Sequence, residues 1–203
     1  MNIREQMALA TKEKLLKTGR NLIVKYGLQN VSVADITNAA GVAKGTFYTY
    51  FKRKEDIVYE ICREPFAQIA ERFCADPETD IIKKLSNYFC DFMDEVMRYG
   101  VNVCREWLRD VIIPDAVTDA KDTQKWQYDT KTLNDMLKVA VGRGELKKNT
   151  PTETLTHIII TQMYGMMTCW CMSNEDFNPR QWSRRFCELQ IDRILKPYIK
   201  DEK

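Results

Sequence analysis

The sequence has little of what metal, disulfide or catalytic chemistry requires. It contains one histidine, His157, so a histidine-based metal cluster is excluded. None of its seven cysteines forms a CxxC pair, and Cys169 and Cys171 fall on different faces of a helix, a poor arrangement for a disulfide or a shared metal. The sequence also shows no glycine-rich phosphate loop and no pairing of a nucleophile with a base. We therefore expect no cofactor, no metal and no enzyme.

Long apolar runs and export signals are also missing. The longest apolar stretch, 158–172, is interrupted by polar residues and by Gly165, and it is too short and too polar to span a membrane. The amino-terminal segment lacks the apolar core and cleavage site of a signal peptide. We therefore interpret the cysteines as reduced thiols, and we expect a cytoplasmic protein with no membrane partner.

Positive charge is concentrated in the first third of the chain. Residues 1–60 hold ten Lys or Arg and six Asp or Glu, whereas residues 61–203 hold 21 and 23, so the net charges are +4 and −2. A basic head on a nearly neutral body is typical of a nucleic-acid-binding protein. Ordinary scatter in composition is the alternative explanation, and the motif in the head decides between them.

Residues 31–51 have the pattern of a helix, a tight turn and a second, short helix. Ser32 and Asp35 have the spacing of a capping box, and Gly41 suits the left-handed conformation of a tight turn. In the short helix Phe47 and Phe51 share one face and anchor it, which leaves the donor-bearing side chains exposed. This arrangement predicts a helix-turn-helix whose second helix enters the major groove of DNA.

At these residues the chain resembles the TetR family of bacterial transcriptional regulators, including its AcrR-type members. The resemblance covers about residues 10–60 and rests on three ordered elements: Ala39-Ala40-Gly41-Val42, Lys44-Gly45-Thr46-Phe47-Tyr48, and Tyr50-Phe51-x-x-Lys54-Glu55-Asp56-Ile57. It implies an all-α fold of about nine helices. We place the helix-turn-helix DNA-binding domain at residues 1–55 and a helical domain for ligand binding and dimerisation at residues 56–203.

The resemblance also implies roles for individual side chains on DNA. Lys44, Gly45, Thr46 and Thr49 are the candidates for contacts with base edges. Tyr48 and Lys54 are candidates for phosphate contacts, and so is Ser32, which could equally serve only as a helix cap, or do both.

The remaining sequence predicts further helices and their ends. Pro65 lies inside an apolar helical pattern, so we expect a kink or a restart there. Proline at a first helical position predicts helix starts at Asp76-Pro77, at Thr150-Pro151 with Glu153 completing a capping box, and at Asn178-Pro179. We expect Gly100 to break the helix that follows Pro77.

Helices 151–173 and 179–199 are apolar on more than one side. One stripe is enough for a helix to join its own core, so the second stripe predicts burial against a partner copy. Complete burial within one chain is the alternative. The resemblance favours a homodimer formed through these two helices.

Large, adaptable side chains are numerous in the body. Such residues suit a surface that repacks around apolar or planar ligands, although each of them could also serve only in core packing. The candidates for the effector site are Tyr88, Phe92, Met93, Cys104, Trp107, Trp126, Met136, Met163, Met166, Met167 and Trp170.

Together these features favour a homodimeric repressor that binds a palindromic, double-stranded DNA operator and is released by a small, mainly apolar or aromatic molecule. An activator, or a regulator without a small ligand, would share the same DNA chemistry. A small helical enzyme or carrier with an incidental helix-turn-helix is the other alternative. If a ligand does control the protein, Pro65 is a candidate hinge, because proline weakens the hydrogen-bond ladder of its helix.

Overall fold

The computed structural model describes residues 2–77, 80–112 and 122–199, and all regular elements in these ranges are helical apart from one isolated bridge. No helix within these ranges is long and apolar enough to cross a membrane. The helices are α1 (Ile3–Tyr26), α2 (Val33–Ala40), α3 (Lys44–Tyr50), α4 (Asp56–Ala75), α5 (Ile81–Ile112), α6 (Asp122–Arg143), α7 (Thr152–Met172), α8 (Pro179–Phe186) and α9 (Asp192–Leu195). The predicted all-α fold is confirmed.

Helices α1 to α3 form the head, and local signals define their ends. The Ser32 hydroxyl accepts a hydrogen bond from the Asp35 amide at 3.1 Å, and the Asp35 carboxylate accepts one from the Ser32 amide at 2.8 Å, which confirms the capping box. Gly41 adopts the left-handed conformation (φ 62°, ψ 39°) and turns the chain from α2 to α3. The helix-turn-helix is therefore present as predicted.

Helix α5 is the strongly amphipathic spine of the body. Its continuous helical run is interrupted at Gly100, where φ is 77° and ψ is 165°, so the predicted break is confirmed. The turn that follows redirects the second part of α5 toward the head, where Val103 is buried beside residues of α1 to α4. Helices α8 and α9 form a continuous segment through a π-helical turn at Cys187–Ile191.

Two predicted helix starts are wrong. The helix α5 begins at Ile81 instead of Pro77, because the Asp80 carboxylate accepts the free amides of Ile82 and Lys83 at 3.0 and 3.3 Å. At the start of α7 no side chain caps the helix, because the Thr150 hydroxyl donates to the carbonyl of Lys147.

The start of α8 is as expected. The side chain of Asn178 accepts a hydrogen bond from the Gln181 amide at 3.1 Å, and Pro179 occupies the first turn. This cap fixes where α8 leaves the preceding loop.

Within the described residues, buried side chains form three cores. The head core includes Leu15, Ile36 and Phe47, and it reaches into α4 through Ile57 and Val58. Because these two α4 residues lie beyond position 55, the head shares its core with the first turn of α4, and the domain boundary at 55/56 remains a prediction.

The other two cores lie in the body. The distal core lies between α5, α6, α7 and the α8–α9 segment. It is bordered by an unforeseen buried ion pair, in which Lys84 Nζ lies 3.2 Å from the Glu145 carboxylate. The central core includes Met93, Val96, Cys104, Met167 and Trp170 and lies nearer to the head.

Candidate nucleic-acid interface and effector cavity

Helix α3 presents a polar face to solvent and an aromatic face to the head core. Phe47 and Phe51 are buried with ring centroids 4.9 Å apart, so they fix the rotation of the helix about its axis. Lys44, Gly45 and Thr49 are exposed on the opposite side, and Thr46 is half-buried. The anchored face therefore holds the polar face in one orientation, as a groove-reading helix requires.

Gly45 leaves open space on this surface. A Cβ atom built at this position would meet no heavy atom within 4 Å, so nothing in the described protein fills the space beside the backbone. Tyr48 extends from the same helix with 52% of its surface exposed. The candidate interface thus combines accessible backbone at Gly45 with hydrogen-bond donors from the neighbouring side chains.

Two predicted phosphate contacts already have partners inside the chain. Lys54 Nζ donates to the Leu28 carbonyl at 2.7 Å, which ties the segment after α3 to the turn that follows α1. An ammonium group has three donors, so a phosphate contact remains compatible with this bond. The Ser32 hydroxyl donates to the Asp35 carboxylate at 2.7 Å while remaining at an exposed helix start. Both bonds position these groups at the edge of the interface.

A small apolar cavity lies where α4, the bend of α5 and α7 meet. Its volume is about 30 Å³, and its walls carry almost no polar surface. The lining residues are Cys62, Phe66, Phe92, Val96, Tyr99, Val103, Cys104, Trp107 and Met167. Four of the residues predicted for an effector site, Phe92, Cys104, Trp107 and Met167, are therefore brought together here.

The other predicted effector residues lie elsewhere. Met93 and Trp170 are buried in the central core behind the cavity wall, and Met166 packs against that core. Met136 and Met163 belong to the distal core, Tyr88 packs against it, and Trp126 is 39% exposed. None of these seven borders the cavity in its present shape.

Sequence reasoning missed five residues of the cavity wall. Cys62 and Phe66 come from α4, and Val96, Tyr99 and Val103 flank the break at Gly100 in α5. No residue of α4 was among the sequence-based candidates for the effector site. A useful signal was available, since the two strongest helix disruptors of the body, Pro65 and Gly100, lie next to these residues.

Pro65 lies inside an uninterrupted α4, so the expected restart is absent. Since proline lacks an amide hydrogen, the carbonyl of Ile61 four residues earlier loses its helical partner. The Tyr99 hydroxyl replaces that partner and donates to the Ile61 carbonyl at 3.1 Å. Burial raises the pKa of Tyr99 to about 12, so the hydroxyl keeps the proton that it donates.

Two thiols lie side by side at the cavity, Cys104 on its wall and Cys171 in the central core next to it. The Cys104 thiol donates to the Cys171 sulfur, and this bond lowers the pKa of Cys171, while the same bond and burial raise the pKa of Cys104. As predicted, Cys169 and Cys171 lie on different faces of α7, because Cys169 is exposed and Cys171 is buried.

Comparison with known proteins places this fold in one class. Residues 15–61 match the model of bacterial regulatory proteins of the tetR family. The Fatty acid metabolism regulator protein of Bacillus subtilis is 37% identical over 187 residues, which cover 89% of this chain and 94% of that protein. The chain therefore belongs to the TetR family of transcriptional regulators.

Two solved structures share the whole fold. Thermus thermophilus FadR, a TetR-family repressor in complex with lauroyl-CoA, has a TM-score of 0.71 at 17% identity over 95% of this chain and 97% of that one. The triclosan complex of SmeT, a repressor from Stenotrophomonas maltophilia, has a TM-score of 0.64 at 20% identity over 95% and 93%. Both solved neighbours therefore share the fold of this chain, which the family match places among DNA-binding transcriptional regulators.

Proposed function

We propose that the effector carries a long apolar chain and that an acyl-CoA thioester is its chemical class. The supporting observation is the cavity wall, which is built from alkyl, aromatic and thiol groups. Its one hydroxyl, on Tyr99, is already bonded to the Ile61 carbonyl. Such a wall favours methylene groups and offers no free charge to a polar ligand. A relative concerned with fatty acid metabolism and a structural neighbour that binds lauroyl-CoA have the same fold.

The cavity has to widen to admit such a chain. Pockets for small molecules typically measure about 300–1,000 Å³, whereas this cavity measures about 30 Å³. The Trp107 ring stacks on Tyr164 with centroids 5.4 Å apart, and the Tyr164 hydroxyl is hydrogen-bonded to Asp129 on α6. Displacement of the Trp107–Tyr164 pair, together with the flexible Met167, would open the cavity toward α6 and α7.

A planar aromatic compound is the second candidate. The flat Trp107–Tyr164 stack, with an interplanar angle of 12°, is a ready surface for another aromatic ring. The triclosan complex of SmeT shows that an aromatic compound binds a protein of this fold. The two candidates differ in whether the ligand needs a flexible chain.

One titration separates the two candidates. Operator-bound protein is titrated with lauroyl-CoA, stearoyl-CoA, free CoA and triclosan, while DNA release and tryptophan fluorescence are recorded. We expect both acyl-CoAs to release the operator and to quench Trp107, and free CoA to do neither. The Trp107→Phe variant identifies the source of the signal. Release by triclosan without release by either acyl-CoA would refute the acyl class and support the aromatic one.

The same proposal includes a homodimer formed through the outer faces of α7 and of the α8–α9 segment. Apolar or small residues line these faces in the described chain: Ile158, Gly165, Cys169, Met172, Trp182 and Leu189 are all exposed. Met172 and Trp182 are 80% and 61% exposed, unusual for such large apolar groups. A twofold-symmetric four-helix contact would cover them.

The structure corrects one part of the dimer prediction. Of the second stripe of helix 179–199, Ile191 is fully buried in the distal core and Ile194 packs against that core, so a charge at either position would damage the fold instead of an interface. The test residue is therefore Trp182. Trp182→Glu should give a monomer by light scattering and lose operator binding, whereas the neighbouring exposed variant Gln181→Glu should remain dimeric. A dimeric Trp182→Glu protein would place the interface elsewhere.

In the dimer, two copies of α3 would occupy successive major grooves of a palindromic operator. Half-sites of this kind lie about 34–36 Å apart, so both must fit at once for tight binding. Since α4 joins the cavity wall to the head core, widening of the cavity would change the spacing of the two heads. The ligand must bind the released spacing more tightly than the DNA-bound one.

A further inference from the structure

A second, larger recess lies on the outer surface where the head meets the body. We call it the junction cleft, and its volume is about 670 Å³. It is separate from the apolar cavity and runs between α1, α4 and the end of the first part of α5. Its lining residues are Glu13, Leu16, Lys17, Arg20, Asn21, Val24, Glu60, Ile61, Pro65, Arg98 and Tyr99.

Tyr99 is part of the wall of both the cavity and the cleft. Its ring contributes to the apolar cavity, with its centroid 6.4 Å from that of Phe66. The Arg20 guanidinium of α1 lies over the same ring, 4.7 Å from its centroid. The hydroxyl is held by the Ile61 carbonyl, which Pro65 leaves without a helical donor. A single side chain thus separates a dry cavity from a polar cleft.

The charges of the cleft leave two cations available. Glu60 is paired with Lys12 at 2.8 Å, and Arg98 is paired with Glu95 at 2.9 Å. Lys17 and Arg20 lie one turn apart on α1, and neither has a carboxylate partner within the described part of the chain.

Glu13 is the remaining carboxylate of the lining, and it lies one turn from Lys17 on the outer side of α1. Two unpaired cations beside a flat ring suit a phosphate or another anionic group. The cleft and the cavity together therefore offer an anion site and an apolar site on either side of Tyr99.

We propose that the junction cleft binds the anionic end of the effector through Lys17 and Arg20, and that Tyr99 is the gate through which the apolar chain reaches the cavity. This inference rests on the acyl-CoA class proposed above and assigns the two ends of that ligand to two adjoining sites. A ligand placed in this way would contact α1 of the head as well as α4 and α5 of the body. Binding would thereby act on the head directly as well as through α4.

The first experiment measures ligand affinity on DNA-free dimer by calorimetry. The variant Lys17→Gln/Arg20→Gln is compared with the control Lys14→Gln/Lys25→Gln, which removes two charges from α1 outside the cleft. The ligands are lauroyl-CoA and the uncharged methyl ester of the same chain. Since hydrogen bonds to charged groups contribute about 1.5–3 kcal/mol each, we expect the cleft variant to bind lauroyl-CoA at least about tenfold more weakly.

The same variant should bind the methyl ester as the wild type does, and the control variant should match the wild type for both ligands. Equal affinity of wild type and cleft variant for lauroyl-CoA would overturn the inference and leave the acyl-CoA proposal standing. Absence of lauroyl-CoA binding to the wild type would overturn both. Equal weakening for both ligands would also contradict the inference, because it would indicate a damaged cavity.

The second experiment tests the gate through Tyr99→Phe. This change keeps the ring and removes the hydroxyl that bonds to the Ile61 carbonyl, so the closed position loses one hydrogen bond. A bond of this kind contributes about 0.5–1.5 kcal/mol, so the association rate of the methyl ester in stopped-flow fluorescence should rise about 2- to 12-fold. An unchanged rate would show that the chain enters by another route.

Discussion

The head and the cavity wall are packed in opposite ways. Around α1 the head core has no spare room at Gly19, since a Cβ atom placed there would come within 2.4 Å of the Ile57 side chain. The cavity wall encloses about 30 Å³ and is lined by thiols, aromatic rings and a methionine, which repack at low cost. If a ligand acts as proposed, we therefore expect the head to move as a rigid body and the cavity wall to change shape.

Helix α4 belongs to both regions. It contributes Ile57 and Val58 to the head core, Cys62 to both the head core and the cavity wall, and Phe66 to the cavity wall. Since one helix serves both regions, the proposed ligand control would reach the head through α4. Under that proposal, function depends on the rigidity of one region and the adaptability of the other.

The largest effect is expected from a substitution that disrupts the tightly packed head core. Phe47→Ala removes a fully buried ring that anchors α3, and such truncations cost about 3–5 kcal/mol. Urea unfolding should show this loss together with loss of operator binding. Tyr48→Ala, on the exposed side of the same helix, should change stability by about 0.5 kcal/mol at most. A loss below about 1 kcal/mol for Phe47→Ala would show that the head tolerates a void.

A second prediction concerns the surface that the rigid head presents. Thr46→Ala and Lys44→Ala should change sequence preference by about 1–3 kcal/mol between cognate and altered operators. Lys54→Ala should weaken all sequences alike and reduce the salt slope by about 0.9. Binding isotherms at several salt concentrations decide this. Equal losses on cognate and random DNA for all three variants would contradict the division into base and phosphate contacts.

The adaptability of the cavity wall is tested by a substitution that conserves side-chain volume. Met167→Leu should destabilise the protein by less than about 1.5 kcal/mol yet weaken effector binding, because a branched side chain repacks less freely than methionine. The matched change in the head core, Ile57→Leu, should leave effector affinity unaltered. Calorimetry on both variants compares them directly, and equal effects on affinity would remove the distinction between the two regions.

The smallest effect is expected in the pH dependence of folding stability, through the amino-terminal cap of α2. Hydrogen bonds from the Ser32 hydroxyl and amide lower the pKa of Asp35, so the folded state holds this proton less tightly than the unfolded state. The cap therefore stabilises the head above the unfolded pKa of about 4, and this contribution is lost as pH falls through the lower folded value. Unfolding between pH 2 and 6 should be less pH-dependent in Asp35→Asn. Identical profiles would remove Asp35 from the pH response.

These two regions also differ in how far sequence alone could predict them. Ser32, Asp35 and Gly41 act on neighbours within a few residues, so their spacing was sufficient to predict the helix-turn-helix. The cavity wall combines Phe66 of α4 with Met167 of α7, and no local pattern records which apolar residues meet across 100 positions. Tyr88 and Met136 satisfied the same compositional rule and lie in the distal core.

Capping signals near proline were less dependable than those in the head. Pro77 and Thr150 are residue types that commonly occur at helix starts. In the structure, however, Asp80 caps α5, and Pro151 precedes α7 without any side-chain cap. Pro65 was recognised as a disruptor, yet its consequence depended on Tyr99, which lies 34 positions away in the chain and supplies the missing donor. A rule that considers only neighbouring residues cannot predict a hydrogen bond between such distant positions.

The most direct test of the account is the reciprocity between effector and operator. Lauroyl-CoA affinity is measured for the free dimer and for the operator complex, and operator affinity is measured with and without saturating lauroyl-CoA. If one coupled equilibrium links the cavity to the head, the ligand weakens operator binding, and the operator weakens ligand binding by the same factor, typically about 5- to 150-fold. Equal lauroyl-CoA affinities for the free and operator-bound dimer would contradict the account.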